Sequence, residues 1–173
     1  MVIDFIAMAS VGFGAAGIYL LLRKLLGDRL PKWALPAVIG AAMLTFSVWS
    51  EYSWFKRVTQ ALPAEVVVVL APTEQSAFRP WTLLFPPTTR FLALDTSSLL
   101  TSETIPTIRQ GTLFMVQRWG GTERLPEAFD CAAWRHASLV DGATVTAEGQ
   151  LSGSFWLEAK QDDPLMLAAC PAK

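Results

Sequence analysis

His136 is the chain's only histidine, so side-chain acid–base chemistry near neutral pH has to run through it. Ser138 and Asp141 follow it closely, and Asp95, Ser97 and Ser98 are further hydroxyl and carboxylate candidates for a nucleophile with its base and orienting group. No Gly-x-Ser-x-Gly elbow accompanies them. A histidine beside Arg135 at a strand end is expected as an exposed turn residue. The carboxylate pairs Glu123/Glu127 and Asp162/Asp163 sit in turn and surface contexts, and nothing selects either as a glycosidase acid and base. Neither a P-loop nor a dinucleotide fingerprint occurs. One histidine without closely spaced cysteines is a poor metal ligand set. The expectation is therefore no catalytic residue, no metal and no cofactor: the chain reads as a non-enzyme.

Arginine recurs beside aromatic residues instead, in Phe78-Arg79-Pro80-Trp81, Arg90-Phe91, Arg118-Trp119 and Trp134-Arg135. Both residue types are enriched at interface hot spots, which makes Arg79, Trp81, Arg118, Trp119, Trp134 and Arg135 a candidate interaction surface. The same pairs are equally what cation–π packing at a sheet edge produces. Phe78, Trp81 and the Pro86-Pro87 turn would also suit a surface close to a membrane.

The elements that must carry these residues divide sharply. Hydrophobic residues make up 52% of 173 and charged residues 17%, with a mean hydropathy of +0.36. Net charge is −1, which offers no basic field to nucleic acid. The apolar excess is concentrated near the N-terminus. In residues 2–22 the only charged side chain is Asp4, and about 21 residues make about 31 Å of helix, the thickness of a bilayer's hydrocarbon core. Residues 33–50 carry no charge. A cleavable signal peptide would place basic residues before the first run, whereas here the flank is acidic and the basic residues follow; a retained anchor is the expectation.

Arg23, Lys24, Arg29 and Lys32 crowd the short connector 23–32. The positive-inside rule then puts the connector in the cytoplasm, and both the N-terminus and the C-terminal domain outside. In a Gram-negative inner membrane that outside is the periplasm. Lys56 and Arg57 weaken the bias. Tyr19 and Trp33 suit one interface, and Trp49, Tyr52 and Trp54 the other. Pro36 falls in the first turn of the second helix, where its missing N–H costs no bond. The second helix is expected to run on as a stalk over 33–62 and to stop before Pro63. Ser10, Gly12, Gly14 and Ala16 in the first helix, with Ala37 and Ala41 in the second, have close-packing spacing. They are expected to pack the hairpin on itself, with docking of another transmembrane helix or self-association as the alternatives.

After this anchor (1–62) comes a β-rich domain (63–173). The β-branched run 65–70 reads as a buried strand. Further strands are expected at 81–85, 90–95, 112–119, 128–133, 143–147, 151–158 and 165–170, separated by Gly- and Pro-containing turns. Segments 96–107 and 122–127 are expected to be irregular or helical. The fold class is a two-helix transmembrane hairpin plus a mainly antiparallel, β-rich α+β extracytoplasmic domain, with a helix across one face of the sheet.

Cys131 and Cys170 are the only cysteines, both in the domain placed outside. Two thiols in an oxidising compartment are expected to pair; two separate buried thiols would require the reverse topology. The segments FLALDTSSLL, GTLFMVQRW, FDCAAWRHASLVDG, FWLEA and the closing LAAC resemble the surface-adhesin protein E-like domains of proteobacteria, with Asp95, Ser97, Trp119, Asp130, Cys131, Arg135, Trp156 and Cys170 at the matching positions over about half the chain. That resemblance implies a small antiparallel sheet with one disulfide and a binding role. The named adhesin is lipid-anchored at the surface, so host-matrix adhesion does not carry over to a helical anchor.

These readings converge on a membrane-anchored periplasmic accessory protein, non-catalytic, whose partners are the lipid bilayer and a protein of an envelope or inner-membrane assembly. A periplasmic sensor or small-ligand-binding domain is the alternative, and a cell-envelope enzyme the third reading.

Overall fold

The computed structural model describes residues 2–26, 31, 33–102, 104–146 and 148–170. The chain divides into two compact units, Met1–Lys56 and Arg57–Lys173.

The first unit is built from helices α1 (Val2–Leu26) and α2 (Ala34–Gln60), of which α2 reaches across the boundary. α1 runs past residue 22 and takes Arg23 and Lys24 into its last turn, where cations offset the exposed carbonyls of a helix C-terminus. Arg29 and Lys32 of the basic connector lie outside the described residues. α2 starts so that Pro36 sits in its first turn, and it ends at Gln60, two residues short of Leu62. Turn bonds from Ala61 N–H to Val58 O (3.0 Å) and Leu62 N–H to Thr59 O (3.4 Å) finish it ahead of Pro63.

The two helices touch where Gly12 leaves room. A Cβ on Gly12 would lie 3.3 Å from Met43 Sδ and 3.7 Å from Ile39 Cγ2. Ala9, Gly12, Phe13 and Ala16 line a shallow apolar groove with Ile39 and Met43. Gly14 has open space around it, and Ser10, Ala37 and Ala41 are exposed. Both helices are long and apolar enough to cross a membrane, and only 11% and 6% of their spans are buried, unlike the core helices of a soluble protein.

The second unit is a six-stranded antiparallel sheet in the order β1 (Val66–Leu70), β2 (Arg90–Thr101), β3 (Ile108–Gln117), β4 (Thr122–Asp130), β5 (Arg135–Ser138) and β8 (Leu157–Glu158). A separate two-stranded ladder pairs β6 (Thr144–Val145) with β7 (Leu151–Ser152). The helical turn α3 (Trp81–Leu84) lies between β1 and β2 in sequence, and helix α4 (Pro164–Ala169) closes the unit. The core is one face of the sheet under α4: Val69, Leu94, Leu113 and Phe129 against Met166, Ala169 and Cys170.

Several elements differ from the sequence expectation. Segment 65–70 is an edge strand, with Val67 and Leu70 exposed, not a buried one. Residues 81–85 form a helical turn, because Pro80 and Pro86-Pro87 bring no ladder donors while the buried Thr82 hydroxyl closes a local turn. Segment 165–170 is helical: Asp163 caps it through Oδ1 and Leu165 N–H (2.9 Å), Pro164 holds the first position, and the run has no β-branched residue. Segment 122–127 is strand, although it contains Pro126. The Pro126 carbonyl accepts from Leu139 N–H (2.8 Å) on the β5 side, and a strand residue's N–H points the same way as its carbonyl; the proline therefore costs the β3 ladder nothing.

Within 96–107, β2 continues to Thr101 through a bulge in which residues 96–99 face the single Gly111 of β3. The bulge folds Leu99 over Gly111, where a Cβ would sit 2.7 Å from Leu99 Cδ2. Segment 128–133 ends as strand at Asp130 and turns through 131–134 into β5. Segment 151–158 is two short strands split by a turn at Gly153 (φ +83°), whose absent side chain faces Ala143 Cα. Segment 143–147 narrows to β6, and Ala147 lies outside the described residues.

Candidate functional site

Antiparallel register brings the start of β2 beside the end of β3, since Arg90 pairs with Gln117. The turn after β3 adds Trp119 and Gly120, and the segment after β1 adds Glu74 and Arg79. These residues, with Thr89, line an open cleft of about 380 Å³. Its character is cationic and aromatic. The Arg118 guanidinium lies 4.7 Å from the centroid of the Trp119 ring, a cation–π contact. Arg90 Nε is 3.5 Å from Glu74 Oε1, and both side chains are about half exposed, so water screens the pair. Trp119 is exposed. A groove of this kind suits an acidic or aromatic segment of another molecule, because carboxylates of the incoming chain can replace a screened internal partner.

Trp134 and Arg135 lie at the other end of the sheet, where Ile108 pairs with Asp130. The candidate surface is thus two places, with Arg79, Arg118 and Trp119 at one end and Trp134–Arg135 at the other. Trp81 is half exposed on α3.

The second place is a structural knot. Asp130 is buried; its Oδ1 accepts the Ala132 and Ala133 N–H groups (3.1 Å each), and its Oδ2 accepts from Arg135 Nε and Nη2 (2.9 Å each). Arg135 also stacks on Trp156 at 4.9 Å. Trp134 takes the left-handed backbone conformation (φ +54°), held by its indole N–H to Lys160 O (2.6 Å) and by Ala159 N–H to Trp134 O (3.1 Å). The Cys131–Cys170 disulfide, with Cα atoms 5.6 Å apart, ties this turn to the end of α4. Arg109 Nη1 donates to Ala169 O (2.9 Å) at the same helix end.

The acid–base candidates are engaged in structure as well. His136 is in β5 rather than in an exposed turn, and its Nδ1 is 2.6 Å from Glu127 Oε1, with both side chains largely buried. The hydrogen bond to Glu127 raises the imidazole above the ordinary histidine range, against an opposing effect of burial; the charges of Glu127 and Asp163 add to the rise. Asp95 Oδ1 accepts from the Ser97 hydroxyl (2.6 Å) and N–H (3.0 Å), while the Ser98 hydroxyl donates to Asp95 O (2.7 Å) and accepts from Thr112 N–H (3.0 Å). These groups clasp the β2 bulge. Among the described residues no group of three or more His, Cys, Asp or Glu side chains is placed to hold a metal ion.

Sequence reasoning missed Glu74, Gln117 and the His136–Glu127 pair. Glu74 lies well before Arg90 in the chain, and Glu127 is nine residues from His136, separations that only strand register brings together. The one available signal was Arg90-Phe91, which repeats the arginine–aromatic pattern.

No protein-family model, curated protein or solved structure matches the chain.

Proposed function

We propose that this chain is a membrane-anchored accessory protein of a bacterial inner membrane, N-out and C-out, whose periplasmic sheet unit binds a protein partner and carries out no chemistry of its own. The observation that carries the reading is the cleft of Arg79, Arg90 and Trp119, with Arg118 stacked on the same indole. It is an arginine and aromatic surface of the kind that anchors protein interfaces. Two further facts support it. The helices expose apolar side chains such as Phe5, Phe13, Leu21, Leu25 and Leu44, which a bilayer would cover. His136, Asp95, Ser97 and Ser98 are held in bonds that shape the fold. The adhesin-like resemblance points to the same class, a binding domain. The partner segment is expected to be acidic.

The test is photo-crosslinking in intact membranes from a benzoylphenylalanine at Trp119. A discrete protein adduct that weakens in an Arg118→Ala, Arg90→Ala background is expected. If the solubilised protein ran alone, with neither adduct nor self-association, the reading would be overturned. A reporter fused after Lys173 checks the orientation and should be active only where it is exported.

One observation favours a second reading, a sensor or small-ligand domain. Val58, Leu62, Pro63 and Val66 line an apolar groove of about 390 Å³ with Ala93, Phe114 and Val116, and Asp95 and Thr122 add polar groups. A thermal-shift screen of amphipathic small molecules decides it: no stabilising ligand removes this reading.

A further inference from the structure

Residues 76–85 are built inside out. Their most deeply buried side chain is polar: Thr82 is 1% exposed, and its hydroxyl accepts from Ser76 N–H (2.9 Å) and donates to Arg79 O (2.7 Å). Around it the apolar side chains face outward. Phe78 is 97% exposed and Leu84 78%, with Phe85, Leu83 and Trp81 exposed beside them. Five large apolar side chains exposed within residues 78–85 are unusual on a soluble surface and mark a contact site.

We infer that this loop inserts shallowly into a phospholipid bilayer surface, as a third membrane contact besides α1 and α2. The inference rests on the anchored reading above. Three observations select lipid as the occupant over a protein groove. First, much of the loop's backbone is satisfied within it. The Ser76 N–H bonds to the Thr82 hydroxyl, the Arg79, Thr82, Leu83 and Phe85 N–H groups bond to Ser76, Arg79, Pro80 and Trp81 carbonyls, and Pro80 has no N–H to satisfy. Unsatisfied donors are what bar most loops from the apolar side of an interface. Second, the charge suits lipid phosphate: within the loop, residues 76–85, the one charged side chain is the cation Arg79. An arginine beside Phe and Trp is an interfacial composition, with the aromatic rings at headgroup depth and the guanidinium reaching back to phosphate. Third, the loop belongs to the chain that carries the two apolar helices, so a bilayer is always present to it at high effective concentration.

The test places a photoreactive benzoylphenylalanine singly at Phe78, Leu84, Leu44 and Gln161 of the full chain, in cells and in vesicles of phosphatidylethanolamine and phosphatidylglycerol. All four positions are exposed, so the substitutions leave the core intact. Lipid adducts at Phe78 and Leu84 of the same order as at Leu44, and none at Gln161, are the expected result. Lipid adducts at Leu44 alone overturn this inference and leave the anchor standing. Adducts at none of the four positions overturn the anchor itself. A protein adduct at Phe78 that replaces the lipid adduct assigns the loop to a partner and overturns the inference.

Discussion

Opening the Cys131–Cys170 bond should cost the sheet unit a large share of its stability. The two residues are 39 apart in sequence. On the chain-entropy model a closed loop of about 40 residues restricts the unfolded chain by about 13 cal/mol/K, or about 4 kcal/mol at 25 °C. That is comparable with half the stability of many small domains. The native side adds to it. Cys170 is buried beside Met166 and Ala169, and its partner follows the turn whose N–H groups Asp130 holds. The perturbation is Cys131→Ser with Cys170→Ser, and separately a reductant on the unaltered chain. Urea unfolding of the full chain in mild detergent, followed by tryptophan fluorescence, reads the outcome. With a slope of about 2 kcal/mol per M, the midpoint should fall by about 2 M in the variant. Reductant should move the unaltered chain by a similar amount and leave the variant where it is. A variant midpoint equal to that of the oxidised chain would refute the reasoning, because the loop-closure term would then be absent.

Other perturbations test the polar contacts and the bulge. Raised by Glu127, His136 contributes stability that is complete below its ordinary pKa of about 6.5 and is lost as pH rises through the higher folded value. The urea midpoint should therefore decline across that window, and Glu127→Gln should flatten the decline; an unchanged slope in the variant counts against the pair. Asp130→Ala removes the acceptor for two turn N–H groups and the partner of Arg135, and should destabilise by about 3 kcal/mol in the same assay, whereas Asp130→Asn, which keeps an oxygen for the turn, should lose less. Gly111→Ala drives a methyl into Leu99 and should cost about 1–3 kcal/mol. Adding Leu99→Ala should cost less than the sum of the two single changes, and strict additivity in that double-mutant cycle would show that the two side chains do not meet.

Much of the architecture is legible in the sequence, for reasons that lie in composition and local geometry. Two apolar runs of spanning length, a proline in the first turn of α2, and a basic pair in the last turn of α1 are local signals, and the helices follow them. Turn residues marked most of the strand ends, and the cysteine count left one pairing to make. The misplaced elements share a different cause. Segment 165–170, expected as a strand, is an apolar run, and apolar content cannot separate a strand from a short buried helix; the cap at Asp163 and the hydrophobic face under the sheet decide it. Segment 122–127, expected to be irregular or helical, is strand because β3 supplies a nine-residue ladder that overrides its weak β propensity.

The candidate site shows the same division. The arginine–aromatic pairs are visible in the sequence as a repeat. Which pairs share a cleft is not, because residues 79, 90 and 119 are far apart in the chain and become neighbours only when Arg90 registers with Gln117. Likewise the sequence alone supplied one histidine and many carboxylates, and only the β4–β5 register chose Glu127 as its partner. Identity and local pattern determined which elements exist and which residue types could act. Long-range strand pairing, which depends on burying one face of the sheet under α4, decided which residues meet.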